Sequence, residues 1–242
     1  AGVRYSHDHR SIDDSNNFIG QIYQSKSWGK VTYEVGGSVD LANDLTAYAK
    51  YATGYKSGGF SAGSLAPSFD PETNASVEAG LKGNYLDGRL QANISLFHMK
   101  YSNLQVNQIV GVSAAITNAA KATIKGLELE TVAKPFDALR IEMSAGLLDA
   151  KFDSFMTEDS SRPALGILDL SGNRLPLAPT FSGSAGAYFD VPVAAGTITL
   201  GARYDFKSRV YFSEFNIPVT SQKSAGRLDL TLSYKSDDGR WS

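Results

Sequence analysis

Cysteine is absent from the 242 residues, which rules out disulfides and thiolate metal sites. That absence is compatible with the cytosol and with a bacterial envelope alike. Histidine occurs only three times, so acid–base and metal chemistry have few groups to draw on. An excess charge of one sign is also lacking: a net charge of −2 offers no electrostatic footprint for nucleic acid. No apolar run reaches the length of about 18 residues that a transmembrane helix needs. A membrane barrel is not excluded on that ground, because its strands alternate and look polar to a hydropathy scan. No signal peptide opens the chain; Ala1–Arg10 already reads as a strand, as though the chain began in mid-structure.

What is present is 42% hydrophobic and 20% charged, enough for one large all-β domain and too apolar for disorder. The clearest local signal is "GLKGNYLDGRLQANISLFHMKY", Gly80–Tyr101. Asp87-Gly88 sits there between two alternating runs, which predicts a two-residue hairpin turn. The implied register pairs Tyr85 with Leu90, Leu81 with Ile94 and Ala79 with Leu96. On the other face it pairs Asn84 with Gln91, Lys82 with Asn93 and Gly80 with Ser95. Apolar meets apolar and polar meets polar along the whole ladder.

The same turn chemistry recurs at Asp40–Leu45, Pro135–Leu139, Asp190–Gly196 and Ser236–Arg240, roughly every 45–55 residues. Period-2 alternation flanks each turn and no helix competes with it. Longer connections rich in Ser, Asn, Gly and Asp are expected over about Ser6–Ser27, Lys56–Ala75, Asn103–Lys121, Asp153–Pro176 and Val210–Ser224. Short and long connections alternate strictly, which in a meander puts every short turn at one end of the sheet. That asymmetry marks bacterial outer-membrane barrels, whose turns are periplasmic and whose long loops are extracellular. The fold expected is all-β, an antiparallel up-and-down meander of about ten strands forming part of a transmembrane β-barrel, with an eleventh strand starting at Arg240. Tyr85, Phe189 and Tyr234 sit beside turns, as girdle aromatics do. The face opposite the apolar one carries Lys82, Glu128, Glu130, Arg140, Glu142, Arg203, Asp205, Arg227 and Asp229, a mixture suited to a lumen. A soluble β-sandwich also alternates, but it has no reason to alternate its loop lengths.

Chemical motifs are weak. "GFSAG" at Gly59–Gly63 matches a nucleophile elbow around Ser61, yet Pro67 and Pro71 follow where that chemistry requires a helix. His7-Asp8-His9 puts two imidazoles on one strand face without an apparent third ligand. There is no P-loop and no GxGxxG. Neither catalysis nor a bound cofactor is expected.

Four longer stretches carry a resemblance: "YAKYATGYKSGGF" (Tyr48–Phe60), "FDPETNASVEAGLKGNYLDGRLQANISLFHMKYSNLQV" (Phe69–Val106), "NAAKATIKGLELE" (Asn118–Glu130) and "SGNRLPLAPTFSGSAGAYF" (Ser171–Phe189). In this order and spacing they resemble the TonB-dependent outer-membrane receptors, over nearly the whole chain. The resemblance implies a barrel of about 22 strands with a plugged lumen, embedded in outer-membrane lipid. Such a barrel imports a scarce cargo, typically a ferric siderophore, with energy from the TonB protein. Set against that pattern, residues 1–242 are a fragment of the barrel domain covering about strands eleven to twenty. The plug domain, the early strands and the last strands are missing from it.

Within that frame Ala79, Leu81, Leu90, Ile94 and Leu96 meet lipid, and Lys82, Asn84, Gln91 and Asn93 line the lumen. Candidate cargo contacts are Tyr55, Lys56 and Phe60 in the loop after "YATGY", and Tyr101, Asn103, Gln105 and Asn107 at the top of the hairpin. Aromatics, amides and one cation suit a ferric chelate or a sugar. The alternatives are a passive porin or adhesin barrel, which would lack a plug, and a soluble β-sandwich binding module.

Overall fold

The computed structural model describes residues 1–16, 20–62, 68–110 and 113–241. Long antiparallel strands dominate: β1 (Gly2–Asn16), β2 (Gly20–Ala42), β3 (Leu45–Lys56), β4 (Glu72–Tyr85), β5 (Leu90–Val110), β6 (Ser113–Phe136) and β7 (Leu139–Glu158). A short β8 (Ile167–Asp169) precedes β9 (Phe181–Val193) and β10 (Gly196–Lys207). The small pair β11 (Val210–Tyr211) and β12 (Ser221–Gln222) precedes β13 (Ala225–Ser236). One 11-stranded sheet runs β1-β2-β3-β4-β5-β6-β7-β9-β10-β13, with β8 added onto β7 off that path. Every neighbour along the path is the next long strand in sequence, so the meander is up-and-down, and it does not close.

The hairpin expected at Asp87-Gly88 forms in the register that its side chains dictate. Tyr85 faces Leu90, Leu81 faces Ile94 and Ala79 faces Leu96. Asp87 and Gly88 both take positive φ, 54° and 80°, and Arg89 N–H donates to Leu86 O at 3.0 Å. Two positive central φ values mark a primed turn, whose twist matches that of the strands it joins.

The two sheet faces differ as the alternation predicts. Val77, Leu81, Leu96, Leu147, Leu200 and Leu230 share one face, and each is at least 40% exposed. A soluble sandwich would bury such residues. The other face carries paired charge: Lys50 with Glu78 at 3.0 Å, Arg203 with Asp205 at 3.1 Å and Arg227 with Asp229 at 2.9 Å. Tyr48 donates to Glu78 at 2.8 Å, and Lys82 lies 5.1 Å over the Tyr48 ring.

Two expectations require correction. Ser6–Ser27 and Asn103–Lys121 are not open loops but strand, paired from Gly2 to Asn16 against Glu34 to Gly20 and from Leu90 to Val110 against Ala133 to Ser113. Their polar residues reflect strands that continue beyond the apolar band, where both faces meet water and period 2 loses its apolar half. The turn expected at Ser236–Arg240 forms, with Ser236 N–H donating to Trp241 O at 3.0 Å.

The compact packing lies at the long-loop end on the charged face. Ala120, Ala122, Phe152, Phe155 and Leu170 form a buried cluster, with Tyr101, Leu104, Leu175 and Phe215 packed against it. Segment 170–175 returns along β7, with Phe152 N–H donating to Asn173 O at 2.9 Å and Leu175 N–H to Ala150 O at 3.0 Å. This explains the "NRLP" stretch. Asn173 donates to Glu214 O, Leu175 enters the cluster, and Asn216 grips both backbone groups of Arg174 at 2.7 and 2.9 Å.

Candidate binding site at the long-loop end

The loop after β3 folds back toward β2. Gly59 and Phe69 exchange backbone hydrogen bonds of 3.0 and 2.9 Å. Trp28 of β2 presses on the loop so closely that a Cβ on Gly58 would lie 2.6 Å from its indole. The Phe60 ring lies 6.1 Å from that indole. Lys26 pairs with Asp70 at 2.9 Å, and Lys26 beside Asp70 holds its carboxyl below the usual range.

From the other side the loop is held by amides. Gln105 Nε2 donates to Ser57 O at 2.9 Å and to Asp70 O at 3.1 Å, while its backbone N–H donates to Glu72. Asn118 donates to Asp70 O and Asn103 O at 2.7 and 2.9 Å and accepts from Asp70 N–H. Ser61, the nominal elbow serine, accepts from Ile116 N–H at 2.9 Å and so serves packing, while Gly63 lies outside the described residues. His9 shares a hydrogen bond with Ser27 Oγ at 2.9 Å, and among the described residues no group of three or more His, Asp or Glu could hold a metal ion.

The seven sequence-predicted residues therefore separate. Phe60 and Gln105 fasten the loop, and Asn103, at φ 55° in an irregular stretch of β5, contributes its carbonyl to the same fastening. Tyr101 packs on the buried cluster. Lys56 and Asn107 are exposed at strand ends. Tyr55 alone lines a cleft of about 670 Å³, together with Arg4, Asp8, Arg10 and Ser57.

That cleft is rich in donors. The Tyr55 hydroxyl is buried beside Ser57 and Asp8, and the buried Trp28 indole N–H lies by Asp70. Arg4 and Arg10 form no ion pair among the described residues, and Asp8 is the one acid lining the cleft. Two guanidiniums without an ion pair among the described residues, facing a single carboxylate, fit a ligand that brings acceptor oxygens. Sequence reading missed Arg4 and Arg10 as neighbours of Tyr55 because the approach of β1 to the end of β3 leaves no local trace. The available signal was the even spacing of Arg4, Asp8 and Arg10, which sets all three on one strand face.

A second concavity of about 610 Å³ lies further along the same wall, lined by Glu128, Glu130, Arg203, Asp205 and Arg227. Asp205 accepts from Arg203 and stands 3.8 Å from Arg227, and Arg140 covers the Tyr188 ring at 4.6 Å. This face is polar and lies on the same side of the sheet as the cleft.

An up-and-down sheet with one exposed apolar face, one ion-paired face and a donor-lined cleft at its long-loop end is a section of a membrane β-barrel wall. The family model described as "TonB dependent receptor-like, beta-barrel" matches residues 1–242, and the chain belongs to that family. It is 29% identical over 203 residues to the ferric-pyoverdine 358 receptor of Pseudomonas putida, covering 82% of this chain and 23% of that protein. The fold matches the ferric yersiniabactin uptake receptor FyuA of Yersinia pestis with a TM-score of 0.78 at 20% identity, over 98% of this chain and 35% of that one. It matches the siderophore receptor PiuA of Acinetobacter baumannii with a TM-score of 0.76 at 21% identity, over 96% and 33%. The chain thus spans about a quarter of the curated relative and about a third of each solved receptor.

Proposed function

We propose that these strands form part of the wall of an outer-membrane receptor that imports a ferric siderophore, and that the Tyr55 cleft contacts the cargo. The whole receptor would add a plug domain and the remaining strands. Energy would come from TonB through the plug, and no catalytic step is involved. The observation that carries this reading is the cleft itself, where Arg4 and Arg10, which form no ion pair among the described residues, converge with Tyr55 on the lumen side. Ferric chelates present acceptor oxygens to such groups, and guanidinium forks match carboxylate edges in particular. Membership in a family with ferric-siderophore receptors among the relatives supports it.

The test is uptake of radiolabelled ferric siderophores by cells carrying the full-length receptor as their sole siderophore route. Replacing Arg4 and Arg10 with Gln and Tyr55 with Phe should lower uptake by about tenfold or more. Deleting the gene for TonB should abolish it. Unchanged uptake in the triple variant removes the cleft from the pathway, and uptake that survives loss of TonB makes the barrel a passive pore.

A further inference from the structure

We propose that His7 and His9 chelate one borderline divalent cation, Cu²⁺ ahead of Ni²⁺ and Zn²⁺, on the outward face of β1. Two imidazole nitrogens hold the ion, and its remaining positions stay open to water. The site is separate from the Tyr55 cleft, because Asp8 and Arg10 of that cleft project to the opposite face of the strand.

Residues two apart on a strand share a face, with their backbones about 7 Å apart. The register shows what surrounds this pair: Tyr5 faces Val31, His7 faces Gly29, His9 faces Ser27 and Ser11 faces Ser25. Tyr5 and Val31, 66% and 51% exposed, form the last apolar row of the outward face. Both histidines are exposed in the two rows that follow, so they stand just beyond the apolar band, in water. Positive charge is sorted away from them. Arg4, Arg10, Lys26 and Lys30 all take even positions, on the face where Trp28 meets Phe60 and Lys26 meets Asp70. No Lys or Arg shares the outward face from Tyr5 to Asp13 or from Tyr23 to Val31, so nothing on that face repels a cation.

The rings are already partly oriented. His9 Nδ1 lies 2.9 Å from Ser27 Oγ. With the ring proton on Nδ1 and donated to that hydroxyl, the Nε2 lone pair is free, which is the tautomer a metal requires. The His7 ring lies 6.4 Å from Tyr5 at an interplanar angle of 28° and makes no hydrogen bond among the described residues. No side chain of β1 or β2 separates the two imidazoles, since Asp8 projects to the other face and Gly29 has none. Rotation of two exposed side chains therefore brings both nitrogens to the bond length of about 2.0–2.1 Å, with the strand unmoved.

The donors choose the occupant. Ca²⁺ and Mg²⁺ require oxygen ligands, and the carboxylate sharing this stretch of the face, Asp13, stands about 13 Å along the strand from His9. Imidazole suits Zn²⁺, Ni²⁺ and Cu²⁺, and Cu²⁺ binds a given nitrogen site most tightly of the three.

The experiment titrates Cu²⁺ alone into the full-length receptor, folded in detergent and free of any affinity tag, and follows binding by electron paramagnetic resonance. The unaltered receptor should hold one more Cu²⁺ than the H7Q/H9Q variant, with hyperfine lines from two nitrogens. H7Q and H9Q alone should each weaken that binding about tenfold or more, because a chelate needs both rings, and Ser27→Ala should weaken it about tenfold through the loosened His9 ring. Zn²⁺ should compete for the site and Mg²⁺ should not. Retained heat-modifiable migration on gels confirms that each variant is folded. Equal copper binding by the unaltered receptor and H7Q/H9Q overturns the site. Single variants that each keep half of the bound copper at full affinity overturn chelation, and displacement of the copper by Mg²⁺ overturns its ligation by nitrogen.

Discussion

Asn118 grips the backbone of Asp70 with both ends of its amide, accepting from the N–H and donating to the carbonyl at 2.7 Å. Its donor end is shared with Asn103 O at 2.9 Å, so a single side chain couples the loop after β3 to the irregular stretch of β5. Asn118→Asp keeps the acceptor and turns the donor into a second acceptor facing two carbonyls. Leaving such groups unpaired costs about 1–3 kcal/mol. Protease cleavage between residues 57 and 71 of the full-length receptor should accelerate by about tenfold. Cleavage at the unaltered rate would show that the amide does not hold the loop.

Acid should loosen the same loop by another route. Lys26 donates to Asp70 at 2.9 Å and depresses its carboxyl from the ordinary 3.8. A carboxyl whose folded pKa is depressed contributes stability that is full above its unfolded value and fades as pH falls through the folded one. The tether therefore holds at neutral pH and lets go only below 3.8. Both groups are partly exposed, so the effect is modest and salt-screened. Lys26→Gln should bring the onset of loop opening up to the ordinary carboxylate range, read as hydrogen exchange over Phe69–Thr73 across an acid series. An onset that does not move assigns the acid response to another group.

Phe155 is 1% exposed, and its ring lies 4.9 Å from that of Phe152, tilted by 48°, on the lumen side. Truncating a buried aromatic costs about 3–5 kcal/mol. Phe155→Ala should lower the melting temperature of the folded receptor and speed hydrogen exchange over Ile167–Leu170. If both stay as they were, segment 170–175 is held by its backbone bonds and the cluster is incidental.

At the opposite end, Gly88 takes φ 80° with open space around the position of a Cβ. Gly88→Ala therefore strains the backbone without a clash, at about 1–2 kcal/mol. Refolding of the receptor into detergent should slow and its urea midpoint should fall, while Asp87→Asn should be nearly silent because Asn tolerates the same conformation. Equal loss in both variants would refute the turn type.

Expressed by themselves, residues 1–242 present unpaired edges at β1 and β13. Open edges are not tolerated in lipid. These residues alone should associate or aggregate, and a monomeric heat-modifiable species in detergent would contradict this.

The wall was readable from the sequence because one apolar face forces period 2, and a one-residue slip would invert every side chain. Hence Leu81 opposite Ile94 and Lys82 opposite Asn93 follow from pattern alone. Beyond the band that force disappears: Asp8 and Arg10 alternate with residues just as polar, and the run of strand through Ser6–Asn16 shows only in its pairing with Gly20–Lys30. By composition Gln105 is an amide suited to cargo, yet its donors are occupied by Ser57 and Asp70, because side-chain bonds between distant segments leave no local trace. Tyr55 was chosen from the same kind of composition, and only the fold gives it the arginines.

Asn216 repeats at Arg174 what Asn118 does at Asp70, gripping a neighbouring loop by one N–H and one carbonyl. Both amides join segments far apart in sequence, beside backbone bonds such as Gly59–Phe69 and Phe152–Asn173. Loss of either amide therefore loosens its loop locally and leaves the ladder of strands beneath it paired.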